Sequence, residues 1–313
     1  MRKPIVSCLM ANYNTNKGFL KAAIDSILSQ TLDAFELIII DDCSTDDGFE
    51  VLKEYAKSDD RIKLYRNERN MGLPLSLNRA LEYATCDYIA RMDTDDVAMS
   101  DRFEKQFEYL VNNELDLVGA EVNRMDENGK IVAFNTNKSY PPKTVSQILS
   151  VSNYVVHPTW FAKREVYFAL NGYRDINSCE DYDFLLRAKF ADFKIGIADN
   201  VLLNYRFNTN SISRKNALRQ IVTSNYLSKN EKSIDAIDVE KLKEYVGKRL
   251  SDKKCAKYAV AAVYFEKFCV ELKNSKLKAM KFLALSLLKS RYAFINLSRA
   301  IKIRKIKRQI AKG

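Results

Sequence analysis

Tyr88-Ile89-Ala90-Arg91-Met92-Asp93-Thr94-Asp95-Asp96 is an apolar run closed by three carboxylates within four residues. An apolar stretch this short, ended by acids, reads as a buried strand followed by a loop at its carboxyl end. The chain holds a second example upstream, Leu37-Ile38-Ile39-Ile40-Asp41-Asp42, and further apolar runs from Ile5 to Met10 and from Ile62 to Tyr65. Helical patterns fill the intervals. Phe19, Leu20, Ala23, Ile24, Ile27 and Leu28 share one face over residues 18 to 29. Ser44 or Thr45 with Asp46-Asp47 suits a helix start that turns Val51, Leu52 and Tyr55 inward, and a third helix is predicted over Leu73 to Tyr83. Such alternation predicts an α/β fold, a mostly parallel sheet flanked by helices.

Downstream, a helix is expected from Asp101 to Val111, a strand around Leu115 to Val118 and a hairpin turn at Asp126-Glu127-Asn128-Gly129. The alternation then weakens: residues 130 to 210 mix short strands, a Pro141-Pro142 break and helical patches at Lys163 to Leu170 and Asp181 to Phe190. From Ser213 on the pattern is helical, without proline and with one interior glycine, Gly247. The expected organisation is an α/β domain over 1–212, a helical region over 213–275 and a basic amphipathic tail over 276–313. No internal repeat or low-complexity segment interrupts it.

With 313 residues, 47% of them hydrophobic, the chain can bury a sizeable core. Its formal charge of +11 is unevenly placed. Twelve Lys and Arg and no acid lie from Lys276 onward, which leaves 39 basic against 40 acidic residues before it. The basicity is therefore a property of one segment. Six scattered cysteines without C-x-x-C spacing read as free thiols in a reducing compartment. The apolar stretch after Met1-Arg2-Lys3-Pro4 is too short for a signal peptide. Phe282 to Leu288 is about a third of the roughly 20 residues needed to cross a bilayer, so a cytoplasmic protein without membrane spans is expected.

Several chemistries are excluded. The nine glycines make no G-x-G-x-x-G and no G-x-x-x-x-G-K-[ST], which removes dinucleotide and P-loop readings. His157 is the only histidine, so a zinc site with two or three histidines is impossible. No G-x-S-x-G elbow exists to carry a serine hydrolase.

In parallel sheets ligands bind at the carboxyl ends of strands. Asp41-Asp42 and Asp93, Asp95 and Asp96 would bring five carboxylates toward one rim. A hard divalent cation relieves their repulsion and in turn binds phosphate oxygens. The structural alternative is that these acids cap helices, which suits Asp41-Asp42 better than the crowded second cluster. Glu180-Asp181-Tyr182-Asp183 reads either as acids in a first helical turn or as the source of a general base, and pattern alone does not choose. The tail, with its 12 basic residues among leucines and isoleucines, has three readings: a helix lying on an anionic membrane surface, a packed helix with a solvated basic face, or an RNA-binding segment poor in stacking aromatics.

Taken in order, Val6-Ser7 with Ala11-Asn12-Tyr13-Asn14, Ser26 to Thr31, Glu36 to Asp46, Asn70-Met71-Gly72-Leu73, Ser76-Leu77-Asn78 and Tyr88 to Asp96 resemble the family 2 glycosyltransferases of bacterial surface-polysaccharide type, which have the GT-A fold, a Rossmann-like sheet. His157-Pro158-Thr159, Gly172-Tyr173, Glu180-Asp181 and Tyr205-Arg206 extend the resemblance to about residue 213. It implies that Ala11 and Tyr13 lie by the nucleotide base and that Asp42 holds base or ribose. Asp93 and Asp95 would meet the nucleotide-sugar, Asp95 and Asp96 would bind Mn²⁺ or Mg²⁺ on the diphosphate, and His157 and Arg206 would sit nearby. Asp181 matches the catalytic base. Where the family often has a histidine two residues after the arginine, this chain has Asn208.

The expected protein is thus a metal-dependent inverting hexosyltransferase with a C-terminal helical extension. It would move glucose, galactose or N-acetylglucosamine from a UDP-sugar to a saccharide hydroxyl. The tail suggests an undecaprenyl-diphosphate-linked acceptor at the cytoplasmic face of the inner membrane, as in O-antigen, capsule or lipooligosaccharide assembly, and no nucleic acid as partner. The competing expectations are a GT-A-like nucleotidyltransferase, which would release pyrophosphate, and a non-catalytic nucleic-acid-binding protein working through the basic tail.

Overall fold

The computed structural model describes residues 3–133, 140–207 and 216–310. The chain forms two compact units, one of residues 1–146 and 154–208 and the other of 147–153 and 209–313. The expected boundary at 212, and Asn208, lie outside the described residues.

The first unit opens with the alternation read from the sequence: β1 (Val6–Asn12), α1 (Lys17–Leu28), β2 (Phe35–Asp41), α2 (Gly48–Ser58), β3 (Ile62–Arg66), α3 (Leu73–Tyr83) and β4 (Tyr88–Met92). β3, β2, β1 and β4 lie side by side in that order, all parallel. Their carboxyl ends therefore share one edge. Every residue of β2 is buried, which is why its apolar run is continuous and not alternating.

Beyond β4 the sheet becomes mixed. β5 (Val97–Ala98), α4 (Arg102–Asn112), β6 (Leu117–Met125), β7 (Ile131–Ala133), α5 (Pro142–Leu149), β8 (Phe161–Lys163), α6 (Arg164–Ala169), α7 (Glu180–Phe190) and β9 (Ile195–Arg206) follow. β8 enters antiparallel between β4 and β6, β9 runs parallel to β6, and β5 closes that side antiparallel to β9. The turn foreseen at Asp126 to Gly129 joins β6 to β7, with the Asp126 carbonyl accepting from the Gly129 amide.

Packing fixes the sheet on its helices. Val6, Cys8 and Met10 of β1 meet Leu20, Ala23, Ile24 and Ile27 of α1 in one buried cluster that also takes in Phe103 of α4 and Phe161 of β8. Buried polar groups are specific. Glu36, 3% exposed, accepts from the Ser7 hydroxyl and the Thr85 amide and pairs with Lys63. Arg102 is fully buried with no carboxylate; it donates to the Arg91 carbonyl and to Gln106 Oε1, and burial pulls its pKa down to about 10. It ties α4 to the back of β4.

The second unit is helical: α8 (Ala217–Lys229), α9 (Val239–Gly247), α10 (Asp252–Asn274), α11 (Lys276–Lys289) and α12 (Ala293–Ile310). Ser251 and Ser275 cap α10 and α11, each accepting from the amide three residues on. Ser286 of α11 is fully buried and donates to the Ala261 carbonyl of α10, which locks that pair. No helix among the described residues is long and apolar enough to cross a membrane.

Candidate active site

The acidic loop 93–96 joins β4 to β5 at the shared edge. Asp93, Asp95 and Asp96 each place a carboxylate oxygen within 4.8 Å of the others. Two supports hold the loop. The Thr94 hydroxyl meets that of Thr15 at 2.7 Å, joining it to the turn after β1. From the other side, the Arg206 amide donates to Asp96 Oδ1 at 2.7 Å and the Arg206 guanidinium to the Asp95 carbonyl at 2.7 Å.

Asp96 is fully buried, and its Oδ2 has no hydrogen-bond partner among the described residues. Burial, then Asp93 and Asp95, push its pKa well above the ordinary range. Asp95 is pushed up to about 6, by burial and then by Asp93. An orphaned, desolvated carboxylate in a cluster of three fits a hard divalent cation, which satisfies the lone pairs and removes the repulsion. Asp93 is partly spoken for: Arg91 Nη2 lies 2.5 Å from its Oδ1. Arg91 is 2% exposed, and its Nε and Nη1 find no partner among the described residues. Burial alone would lower its pKa; Asp93 outweighs that and keeps it charged.

The Glu180 to Asp183 group starts α7, and the structure separates its members. Asp183 is fully buried and holds Arg174 and Arg187, so its role is structural. Asp181 is half-buried, with Oδ1 accepting from the Tyr182 amide at 2.7 Å. Glu180 is buried, and its pKa rises to about 8, by burial and then by Asp181, with Arg91 and Asp93 also acting on it. The charges of Arg91 and Asp93 thus act on the start of α7. At neutral pH Glu180 holds a proton and its neighbour is the more accessible carboxyl.

His157 starts a short 3-10 turn (His157–Thr159) and is buried against Trp160 and Tyr173, with Nε2 2.8 Å from the Tyr173 hydroxyl. Burial, then the Arg91 charge, push its pKa well down, so the ring is neutral. Tyr173 is placed by Asn78, whose Oδ1 accepts from its amide and whose Nδ2 donates to its carbonyl, both at 2.8 Å. A Cβ on Gly172 would come 2.4 Å from Asn78 Oδ1, and its φ of +67° favours glycine.

The remaining predicted residues lie at the edges of β1 and β2. Ala11 is half-buried near the end of β1, and Tyr13 is exposed just past it. Asp42 is buried and already engaged, accepting from Asn67 Nδ2 and from the amides of Met71 and Gly72. Asp41, fully buried, accepts from Asn12 Nδ2 and the Ser44 amide and pairs with Arg66. Of the five rim carboxylates, only the three of the β4 loop gather at ligand distance, and the other two fasten loops. The guanidinium of Arg206 is likewise engaged: it also donates to the Asp126 and Glu127 carbonyls and lies 3.9 Å from the centre of the Phe19 ring. Arg91, Asn78 and Tyr173 lie within the motifs quoted from the sequence but have no role assigned there, and Glu180 is read there only as one of a group of possible bases. A charge inside an apolar strand was the available signal for Arg91.

Comparisons with known proteins identify the family. Residues 7–168 match the family model for glycosyl transferase family 2. The O-antigen biosynthesis glycosyltransferase WbnJ of Escherichia coli is 35% identical over 228 residues, 71% of this chain and 87% of that protein. Among solved structures, S. aureus TarS 1–349 in complex with UDP-GlcNAc superposes with a TM-score of 0.59 at 14% identity, covering 99% of this chain and 92% of that one. The mannosyltransferase PcManGT of Pyrobaculum calidifontis, in complex with GDP-Man and Mn²⁺, does so at 0.60 and 16% identity, covering 97% and 86%. The chain belongs to glycosyl transferase family 2, and its α/β unit has the GT-A fold.

Proposed function

We propose that this glycosyltransferase inverts the anomeric carbon of a hexose as it moves it from a UDP-sugar to a saccharide hydroxyl. The observation that carries the reading is the presence of an acidic loop bearing one orphaned buried carboxylate together with a half-buried Asp181 at the start of α7. Asp181 takes the proton of the acceptor hydroxyl as that oxygen attacks; a single in-line displacement inverts the centre and needs no covalent nucleophile. Burial holds a proton on Glu180, which leaves Asp181 as the more accessible carboxyl of the pair.

Asp95 and Asp96 would hold Mn²⁺ or Mg²⁺, which when bound supplies Lewis-acid neutralisation of the leaving diphosphate. Arg91 and Asp93 orient that loop against the sugar-diphosphate, and neutral His157, set by Tyr173, offers one ring nitrogen beside it. Tyr13 and Ala11 flank the nucleotide base. Asp42 and Arg206 contact the nucleotide-sugar by exchanging some of their present partners, Asn67 and the 71–72 amides for the first and backbone carbonyls for the second.

The Escherichia coli relative is an O-antigen biosynthesis glycosyltransferase and a fold neighbour is in complex with UDP-GlcNAc, which supports a UDP-sugar donor and surface-polysaccharide assembly. We take the acceptor to be linked to undecaprenyl diphosphate and the enzyme to sit peripherally on the cytoplasmic face of the inner membrane, with the catalytic unit over 1–212 and the basic tail over 276–313. The test is a thermal-shift titration with UDP, GDP, CDP and ADP, each with and without Mn²⁺. A selective, metal-dependent rise with UDP is expected. Asp181→Asn should retain that rise and lose transfer by a factor of about 10³ or more. A rise with GDP alone overturns the UDP assignment, and full transfer by Asp181→Asn overturns the base.

A further inference from the structure

In the second unit, α11 carries two apolar faces and the fold covers only one. Ala279 and Ser286 are fully buried, with Ser286 bonded to Ala261 and Phe282 stacked near Tyr264 of α10. On the opposite side, Leu277 is 85% exposed, Leu288 83% and Met280 59%, with exposed Ala284 between them. At 100° per residue these four fall within about 80° of arc, roughly opposite Ser286. Lone exposed leucines are ordinary, but a straight stripe of them along one helix is not.

The charge around the stripe identifies its occupant. Lys281 lies at one edge of it, Lys276 beyond the other edge, and Lys278 and Lys289 farther round the helix, all exposed. No acid occurs anywhere from Lys276 to Gly313. α12 repeats the pattern: Phe294 and Ile301, seven residues apart on one face, are 56% and 60% exposed, with Lys305 and Arg308 following on that face. At about 21 Å, α11 is too short to span a bilayer but suits lying in its surface, where lysine stems extend from the apolar stripe to the headgroups.

We propose that the α11 face of Leu277, Met280, Ala284 and Leu288 is a membrane-docking surface. It lies in the plane of an anionic bilayer, its stripe among the acyl chains and its lysines at the phosphates. This names the contact surface of the peripheral association proposed above and rests on that reading for its location in the cell, not for its physics.

The test is co-sedimentation of the full chain with vesicles of phosphatidylcholine alone and of phosphatidylcholine mixed with phosphatidylglycerol. Three proteins are compared: wild type, the stripe variant Leu277→Ser/Met280→Ser/Leu288→Ser, and the charge variant Lys276→Gln/Lys278→Gln/Lys281→Gln/Lys289→Gln. All substituted side chains except the partly covered Met280 stem face solvent, and circular dichroism checks that the helices persist. Wild type should bind the anionic vesicles about tenfold or more tightly than the neutral ones, and each variant should lose about tenfold or more. Equal binding by wild type and the stripe variant overturns the proposal. So does a wild-type dimer in sedimentation equilibrium that the stripe variant abolishes, since a second copy would then cover the face. The UDP-dependent thermal shift and transfer to a soluble saccharide, measured on the same proteins, separate the two readings. Vesicle binding without transfer sinks the enzymatic proposal and leaves the surface, whereas transfer by a wild type that ignores vesicles does the reverse.

Discussion

Glu180 and Asp181 are adjacent and chemically similar, yet burial separates them. Glu180 in the fold has a pKa of about 8 against an ordinary value of 4.5. A raised carboxyl pKa means that the folded state binds more protons than the unfolded one between those two values. Stability contributed by this group is therefore present at low pH and lost as pH climbs toward 8. Thermal midpoints measured without metal between pH 6 and 9 should fall by several degrees, and Glu180→Gln should flatten part of that slope, with the raised Asp96 carboxyl also contributing to it. An unchanged slope in the variant would remove Glu180 as its source. Arg91 presents the converse case of a buried cation whose one carboxylate partner is Asp93. Arg91→Met should cost about 2–4 kcal/mol in denaturant unfolding, because it leaves Asp93 among Asp95 and Asp96 without its counter-charge. Arg91→Met/Asp93→Asn should recover part of the loss, and a double variant as unstable as the sum of the singles would refute the pairing.

At the scale of elements, the site depends on a contact between α3 and the turn before α7. Asn78 grips both backbone groups of Tyr173, and Gly172 lets it approach. Gly172→Ala should cost about 2–3 kcal/mol, combining left-handed backbone strain with a clash against Asn78. Asn78→Ala alone should cost about 1 kcal/mol. The double variant should cost less than their sum, since removing Asn78 removes the clash; strict additivity in chemical denaturation would count against the contact. This coupling also shows what the sequence conceals. Strands β1 to β4 and helices α1 to α3 were legible because each buries a continuous run or one face, which leaves a local period. The acids of 93–96 were legible because three carboxylates after an apolar strand exceed what capping needs. Asn78 and Tyr173 are 95 residues apart, and no local pattern records their pairing. Arg91 looks like a flaw in an apolar run until the fold sets it beneath Asp93. In the mixed half of the sheet β6 and the turn after it were legible, whereas β5 and β8 have 2 and 3 residues, too few to carry a period.

Over the whole molecule, charge is partitioned. Residues 1–275 are nearly neutral and the last 38 carry 12 basic side chains with no acid, while the acidic loop concentrates negative charge that the Arg91–Asp93 pair only partly offsets. Buried Asp96 with an open Oδ2 is a cost to the metal-free fold. A divalent cation held there by Asp95 and Asp96 would relieve it and would favour a nucleoside diphosphate at the same site. The two ligands should therefore act together, with UDP plus Mn²⁺ raising the thermal midpoint by more than the sum of their separate effects. At a hundredfold excess over affinity the stabilisation is about 2.7 kcal/mol, a shift of roughly 5–10 °C for a unit of this size. EDTA should return the midpoint to that of UDP alone. Asp96→Asn removes the desolvated charge, so it should melt no lower than wild type without ligands, yet show no synergy between UDP and Mn²⁺. If the variant instead melts lower and keeps the synergy, Asp96 serves the fold and the cation is held elsewhere. If wild type itself shows additive shifts, nucleotide and metal do not share a site.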